Sequence, residues 1–175
     1  MGFTAPGTRA TDYFMTAAVW NAEIVDNMNT AIEHLLVRKP SDEPLTSNTT
    51  LQNDDHLLAA MLANEAWQFK LIVLVTGNTT GNIKIAFTIP SGTLHMVGVA
   101  KDASGTVVQQ DFLSSGTDVR NFLVPGATAL PIVIQGVVIC GGTGGNFQMQ
   151  WAQNVSNATT TNVKANSTLW GVKLA

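Results

Sequence analysis

The sequence contains little charge and almost no cysteine. Of its 175 residues only 12% are charged, well below the roughly 25% typical of soluble domains. Acidic residues outnumber basic ones 12 to 9, and no cluster of Lys and Arg is present to bind nucleic-acid phosphates. No apolar run approaches the about 18 residues that a membrane span requires. The sequence therefore predicts partners other than nucleic acid or a membrane.

Signals for covalent cross-linking and for export are also absent. The single cysteine, Cys140, excludes an intrachain disulfide and a cysteine-based zinc site, and its apolar neighbours predict a small buried side chain. Residues 1–6 lack the basic and apolar regions of a signal peptide, so we expect a chain without a sorting signal. Hydrophobic residues make up 45% of the chain, which excludes a disordered protein.

The N-terminal segment is predicted to form an arm and a helix. Residues 1–15 are rich in Gly, Thr and Pro, which is typical of an extended arm. Over residues 16–36 apolar side chains recur at spacings of three and four, which predicts an amphipathic α-helix. Thr16 is the expected N-cap, and Pro40 prevents continuation of the helix. An isolated helix of about 20 residues is marginal in water, so its apolar stripe must pack on this chain, a sister subunit or another protein.

The rest of the chain is predicted to form a linker followed by short strands. Residues 38–55 are rich in turn-forming and polar residues and predict a linker. Beyond them the apolar period changes to two, and residues 77–81 predict a hairpin connection between the first two strands. The predicted strands lie within residues 67–75, 82–89, 94–100, 106–110, 119–124, 130–140, 147–153 and 168–174.

About eight strands with short turns and no helices between them predict a mainly β fold. We expect an antiparallel β-sandwich of the jelly-roll type, since parallel strands need longer crossover connections. The predicted division is an N-terminal arm and helix over 1–37, a linker over 38–55 and a sandwich body over 56–175.

One strand pattern indicates a subunit contact. Phe147, Met149 and Trp151 alternate with Gln148 and Gln150. The glutamines either face solvent or form hydrogen bonds with a neighbouring subunit. The scarcity of charge favours the second interpretation, because interface cores are depleted in Lys, Asp and Glu. Gln148 and Gln150 are therefore the predicted subunit-interface residues.

No sequence pattern indicates catalysis. The three histidines show no ligand spacing, and Cys140 has no evident partner, so we expect a non-enzyme without catalytic residues, cofactor or bound metal. The glycines over 141–145 lack the residues of a phosphate-binding loop and predict a flexible hairpin loop. The acidic pairs Asp42-Glu43 and Asp54-Asp55 offer calcium ligands, but their spacing matches no EF-hand, and turn, cap or solvated roles are the favoured interpretation.

Three blocks of sequence resemble small structural proteins of tailed bacteriophages. The first runs from Arg38 to Leu57 and into Ala63–Phe69, the second joins Gln150–Ser156 to Val163–Leu169, and the third joins Thr16–Asn21 to Asp26–Asn29. The strand order is also similar to trimeric jelly rolls of the tumour-necrosis-factor and complement type. The related pattern has Gly where this chain has Asn166, which a left-handed turn accepts.

These resemblances imply a virion protein assembled in the host cytoplasm and packed around a threefold axis, although no residue excludes a dimer or pentamer. The first hypothesis is a trimeric capsid decoration or head-fibre protein held on the major capsid protein by its N-terminal segment. Alternatives are a tail fibre that binds host glycans, with Trp170 and the loops 76–81 and 154–162 as candidates, and a minor tail or connector subunit in contact with tail proteins. The predicted anchor residues are Tyr13, Phe14, Trp20, Ile24 and Met28.

Overall fold

A computed structural model describes residues 16–25, 34–101, 106–113, 118–124 and 126–174. The chain divides into two compact units, residues 1–34 and 35–175. In the first unit, helix α1 (Ala17–Trp20) continues into a π-helical turn, Asn21–Val25. Thr16 caps α1 as predicted, because its Oγ1 accepts a hydrogen bond from the amide of Val19.

Twelve strands are present in the described part of the chain. They are β1 (His34–Arg38), β2 (Glu43–Leu45), β3 (Gln52–Met61), β4 (Ala66–Thr76), β5 (Ile83–Thr88), β6 (Gly92–Lys101), β7 (Val107–Leu113), β8 (Arg120–Phe122), β9 (Leu130–Cys140), β10 (Gly145–Gln153), β11 (Thr161–Val163) and β12 (Thr168–Lys173). The larger sheet has eight strands, with the order β1-β12-β4-β9-β6-β7; β11 also pairs with β4, and β2 pairs with β11. The smaller sheet has four, in the order β3-β10-β5-β8.

The order of the strands from β3 to β10 is that of a jelly roll. β4, β9, β6 and β7 are neighbours in the larger sheet, and β3, β10, β5 and β8 are neighbours in the smaller sheet. The paired strands run antiparallel, for example Trp67↔Val138 between β4 and β9 and Met149↔Phe87 between β10 and β5. This topology confirms the predicted mainly β, antiparallel sandwich.

The hydrophobic core lies between the sheets. Inward-facing residues of β4 and β9 meet those of β5 and β10, which is why their sequences alternate with a period of two. Phe69 of the larger sheet lies 4.8 Å from Phe147 and 6.2 Å from Phe87, measured between ring centroids. Cys140 is buried, as predicted, and its thiol donates a hydrogen bond to the carbonyl oxygen of Thr143.

The structure corrects the predicted helix and linker. Residues 34–38 form a strand instead of the end of a helix, since Leu35 and Val37 both pack against the core and alternate with exposed neighbours. Residues 38–55 do not form a linker. They contain β2 and the first part of β3, and they bury Lys39, Glu43 and Asp54, because these opposite charges pair with one another.

Two predicted hairpin loops join different sheets. Residues 77–81 connect β4 of the larger sheet to β5 of the smaller one, and residues 141–145 connect β9 to β10 in the same way. Neither segment is therefore a hairpin. Asn166 has a φ of 70°, so the left-handed turn expected before Ser167 is present. Within the described residues, every helix is too short to cross a lipid bilayer.

Candidate interaction surface

The outward-facing side of the larger sheet is largely apolar at its centre. Ile72 pairs with Val133 and Val133 pairs with Val99, so three adjacent strands present aliphatic side chains in one row. All three side chains are only half-buried in the monomer. We call the following six half-buried residues the outer sheet face: Ile72, Leu74, Val97, Val99, Val133 and Val137.

The outer sheet face explains the unusual composition of β4. Its inward residues, such as Leu71 and Val73, are fully buried, and its outward residues Ile72 and Leu74 are also aliphatic. A strand that is apolar on both sides is typical of a sheet covered on both sides. Within the part of the chain that the structure describes, only the inward side of β4 is fully buried.

An open groove of about 370 Å³ lies beside the outer sheet face. Trp170 of β12 borders it and is 41% exposed. Its cross-strand partner is Lys70, which in turn pairs with Gln135. His95 also lines the groove. An exposed indole is thus placed beside a lysine, a glutamine and a histidine, a combination that offers both an apolar surface and hydrogen-bond donors.

The structure separates the residues that were predicted as candidates for glycan contact. Trp170 lies on the outer side of the larger sheet, so the alternative of core packing for this residue is wrong. The loops 76–81 and 154–162 contact each other through the hydrogen bond from the amide of Val155 to the carbonyl oxygen of Gly81. Neither loop lines the groove beside Trp170.

Gln148 and Gln150 lie on the outward side of the smaller sheet and are half-buried. The side-chain amide of Gln148 donates to the carbonyl oxygen of Asp54 at 2.9 Å, and that of Gln150 donates to Oδ1 of Asn53 at 2.8 Å. These bonds join β10 to β3 within one chain. Their role in a subunit interface stays a prediction.

The predicted anchor residues fall in the first unit. Trp20 is 51% exposed at the end of α1, and Ile24 is half-buried in the π-helical turn. Tyr13, Phe14 and Met28 lie outside the described residues. The described anchor residues therefore include one large exposed aromatic side chain.

Three of the four carboxylates in the two acidic pairs form ion pairs with lysines. Asp42 pairs with Lys164 at the surface, and its Oδ1 accepts a hydrogen bond from the amide of Ala165. Glu43 and Asp54 both accept hydrogen bonds from the buried ammonium group of Lys39, at 2.5 and 2.9 Å. We call Lys39, Glu43 and Asp54 the buried triad.

Every oxygen of the buried triad is hydrogen-bonded. Oε1 of Glu43 accepts bonds from Gln52 and from the indole of Trp151, and its Oε2 also accepts one from the amide of Asp55. Burial raises the pKa of Glu43. The hydrogen bonds from Lys39, the Asp55 amide and Gln52, together with the charge of Lys39, lower this pKa by more than burial raises it. The net pKa of Glu43 is below its usual value, so this carboxylate is ionised at neutral pH.

The buried triad also lies beside His56. Ligand atoms of Glu43, Asp54 and His56 lie within 4.8 Å of one another, and Nδ1 of His56 is buried without a hydrogen-bond partner in the described structure. The ammonium group of Lys39 already occupies the position between the two carboxylates and contacts both. A metal ion bound there would have to displace it, so this cluster is a poor cation site.

No local sequence pattern indicates the groove or the buried triad. The groove collects residues from β4, β6, β9 and β12, and the triad joins residues 15 positions apart in the chain. The one indication in the sequence of a covered outer side is that the second half of β4 is apolar on both of its faces.

No family model matches the chain, and no curated protein matches its sequence. Among solved structures, those of infectious bursal disease virus Gt strain, of a mutant VP2 protein of that virus in derived T=1 particles, and of the Gx strain align with it. Identities are 10–11% and TM-scores 0.20–0.21. The alignments cover 81% of this chain and only 39–40% of the viral chains. Superpositions with such TM-scores establish neither a shared fold nor a shared function.

Proposed function

We propose that this protein is a structural subunit of a virion, a homotrimeric capsid decoration or head-fibre protein of a tailed bacteriophage. The observation that carries the proposal is the outer sheet face, a half-buried aliphatic surface on a chain with only 12% charged residues. Large apolar patches on soluble proteins mark contact surfaces. The occupant we propose is a second and third copy of the same chain.

A self-contact through this face fits the physical chemistry of the sheet. Ile72, Val99 and Val133 form an apolar row across three strands, and burial of such side chains in an interface contributes roughly 25 cal/mol per Å² of apolar area. A closed ring of three subunits would also cover the outer side of β4, which the described residues of one chain leave half-buried. The jelly-roll topology and the blocks that resemble phage structural proteins support the same assignment.

Attachment to the particle is assigned to the N-terminal segment. Residues 1–34 form a compact unit of their own, and Trp20 in that unit is 51% exposed. Contact with the major capsid protein would bury this indole, and three copies in one trimer would strengthen the attachment by avidity. β1 belongs to the body, so an anchor deletion has to end before His34 and leave Leu35 in place.

Immunogold labelling of intact virions with antibody against residues 56–175 tests the location. Label distributed over the head supports the decoration role, and label confined to the tail contradicts it. A second experiment compares full-length protein with a fragment of residues 34–175 for binding to particles that lack the protein. The fragment should remain folded and lose binding, and a fragment that still coats the particles would show that the anchor lies elsewhere.

A second candidate function, host-glycan binding by a tail fibre or minor tail protein, is favoured by the groove beside Trp170. Exposed indole rings stack on the apolar faces of sugars, and Lys70, Gln135 and His95 supply polar groups beside the ring. A glycan array of the wild-type protein tests this function, with Trp170→Ala as the matched variant. A signal that disappears in the variant supports glycan binding in the groove, and an array without signal contradicts it.

A further inference from the structure

The buried triad holds one amine and two carboxyl groups in direct contact. Nζ of Lys39 lies 2.9 Å from Oδ2 of Asp54 and 2.5 Å from Oε2 of Glu43. Lys39 and Asp54 are both 0% exposed. The amine, the carboxyl group and a second carboxylate able to carry protons are thus in contact with one another and shielded from water.

We propose that Lys39 and Asp54 become joined by an intramolecular isopeptide bond, with Glu43 as the catalytic residue. The bond forms between Nζ of Lys39 and Cγ of Asp54. The reaction needs no cofactor, oxidant or other reactant, and it releases one molecule of water.

The reaction begins with a proton transfer inside the buried triad. The ammonium group of Lys39 first gives one proton to Oδ2 of Asp54, which leaves a neutral amine beside a neutral carboxylic acid. The lone pair of Nζ then attacks Cγ, and the carbonyl electron pair moves onto Oδ1. Glu43 accepts a proton from the nitrogen and passes it to the Oδ2 hydroxyl, which leaves as water while the electron pair on Oδ1 restores the carbonyl bond. Glu43 ends as the carboxylate that it was at the start.

The backbone supplies stabilisation for the charge that develops on Oδ1. This oxygen accepts hydrogen bonds from the amides of His56 and Leu57, at 2.9 and 2.8 Å. Two fixed N–H donors on one oxygen have the arrangement of an oxyanion hole. The geometry therefore supports both the attack on Cγ and the intermediate that follows.

Proximity and burial provide the driving force. Reacting groups held in contact behave as if present at an effective concentration of about 10⁵–10⁸ M. Formation of the amide also converts two buried opposite charges into one neutral group, which removes the desolvation penalty that a buried ion pair carries. The oxygens of Glu43 remain satisfied by Gln52, Trp151 and the amide of Asp55.

The bond would connect the two sheets. Lys39 directly follows β1 of the larger sheet, and its backbone amide and carbonyl bond to Ser167 and Asn166 beside β12. Asp54 lies in β3, an edge strand of the smaller sheet. The isopeptide bond would therefore fasten the sandwich along one edge, in a chain whose single cysteine cannot form an intrachain disulfide.

The decisive experiment is the intact mass of the full-length denatured protein. The proposal requires a mass lower than the sequence mass, with or without Met1, by one water molecule. A wild-type protein with the full sequence mass overturns the proposal. Chymotrypsin, which cleaves after Leu45 and Leu51, should leave the segment with Lys39 joined to the segment with Asp54. A water loss located at any other position also overturns it.

Two variants complete the test. The Glu43→Gln protein should have the full mass of its own sequence. Circular dichroism is the check that this variant is folded. A folded Glu43→Gln protein that still loses water would remove the catalytic role of Glu43. Lys164→Met is the matched control, since Lys164 and Asp42 form a Lys–Asp ion pair at the surface. Its water loss should equal that of the wild type, and loss of the effect in this control would contradict the assignment to Lys39.

Discussion

Trp151 and Glu43 are joined by a hydrogen bond of 3.1 Å from the indole nitrogen to Oε1, at the boundary between the hydrophobic core and the buried triad. Trp151 is 0% exposed and pairs with Ile85 across the smaller sheet. A buried indole needs a partner for its N–H group, and Glu43 is that partner. Packing of the core and pairing of the buried charges therefore depend on each other.

Replacement of Trp151 by Phe should destabilise the fold by about 1–3 kcal/mol. The change removes one hydrogen bond to a buried carboxylate and leaves a small cavity in the core. Urea unfolding measures the difference. Trp170→Phe is the matched control, because Trp170 is 41% exposed on the outer side, and its free energy of unfolding should stay close to that of the wild type. Equal losses in the two variants would contradict the role given to the bond between Trp151 and Glu43.

Lys39→Met should be among the most destabilising single changes in the body. It leaves Glu43 and Asp54 buried without their cation, a situation that costs on the order of 3–5 kcal/mol. Lys164→Met removes the surface ion pair with Asp42 and should have little effect on the melting temperature, since exposed pairs are screened by solvent. Differential scanning fluorimetry separates the two cases. A Lys39→Met protein as stable as the wild type would show that the triad contributes nothing to the fold.

Stability should fall as the pH drops below about 5. Burial raises the pKa of Glu65. Hydrogen bonds from the Leu62 amide, Lys173 and Trp67 lower this pKa by more than burial raises it, so the net pKa is depressed. A carboxyl group with a depressed folded-state pKa stabilises the fold above its unfolded-state pKa, and this contribution is lost as the pH falls through the folded-state pKa. Melting temperatures between pH 7 and pH 3 test this.

Glu65→Gln is the matched variant for the pH series. It should be less stable than the wild type at pH 7, and the gap should close as the pH falls, because the wild-type carboxylate becomes protonated. A gap that is constant over the whole range would show that the charge of Glu65 does not contribute.

Val133→Glu should dissociate the proposed trimer and leave the fold intact. The change places a charge in the apolar row formed with Ile72 and Val99, where it would be desolvated between subunits. Light scattering measures the mass of the assembly. Gln150→Glu tests the competing interface on the smaller sheet. A trimer that dissociates with Gln150→Glu and persists with Val133→Glu would contradict the assignment to the outer sheet face.

Gly136→Ala should destabilise the larger sheet by about 1–3 kcal/mol or more. A Cβ atom at Gly136 would lie 2.0 Å from the carbonyl oxygen of His95 and 2.6 Å from Cα of Met96, so the backbones of β9 and β6 would have to move apart. Gly142→Ala is the control, since a Cβ atom there meets nothing within 4 Å. Chemical denaturation should distinguish the two alanine variants.

The strands that sequence reasoning located share a simple local pattern. In β4, β5, β9 and β10 buried and outward residues alternate, and turn residues mark the ends, so each strand is visible without its partners. The jelly-roll prediction follows from their number and spacing. Their assignment to sheets does not, because residues 77–81 have the composition of a hairpin loop and instead cross between sheets.

The elements that sequence reasoning missed depend on distant partners. Leu35 fits a helical stripe as well as a strand, and only its packing on the core decides between them. Asp54 is a charged residue within β3 and looks solvent-exposed until Lys39 is placed beside it. The groove also depends on distant partners, because Trp170, Lys70 and Gln135 come from three strands that the fold brings together.

The position of β12 has a consequence for how the protein is made. β12 lies between β1 and β4 in the larger sheet. Among the described strands β12 is the partner of β1, so residues 34–38 stay unpaired until residues 168–173 have left the ribosome. A nascent chain that stops before this point exposes the unpaired edges of two strands, which favour aggregation. Synthesis of β12 is thus a condition for closure of the larger sheet, and contacts so far apart in the chain predict slow folding.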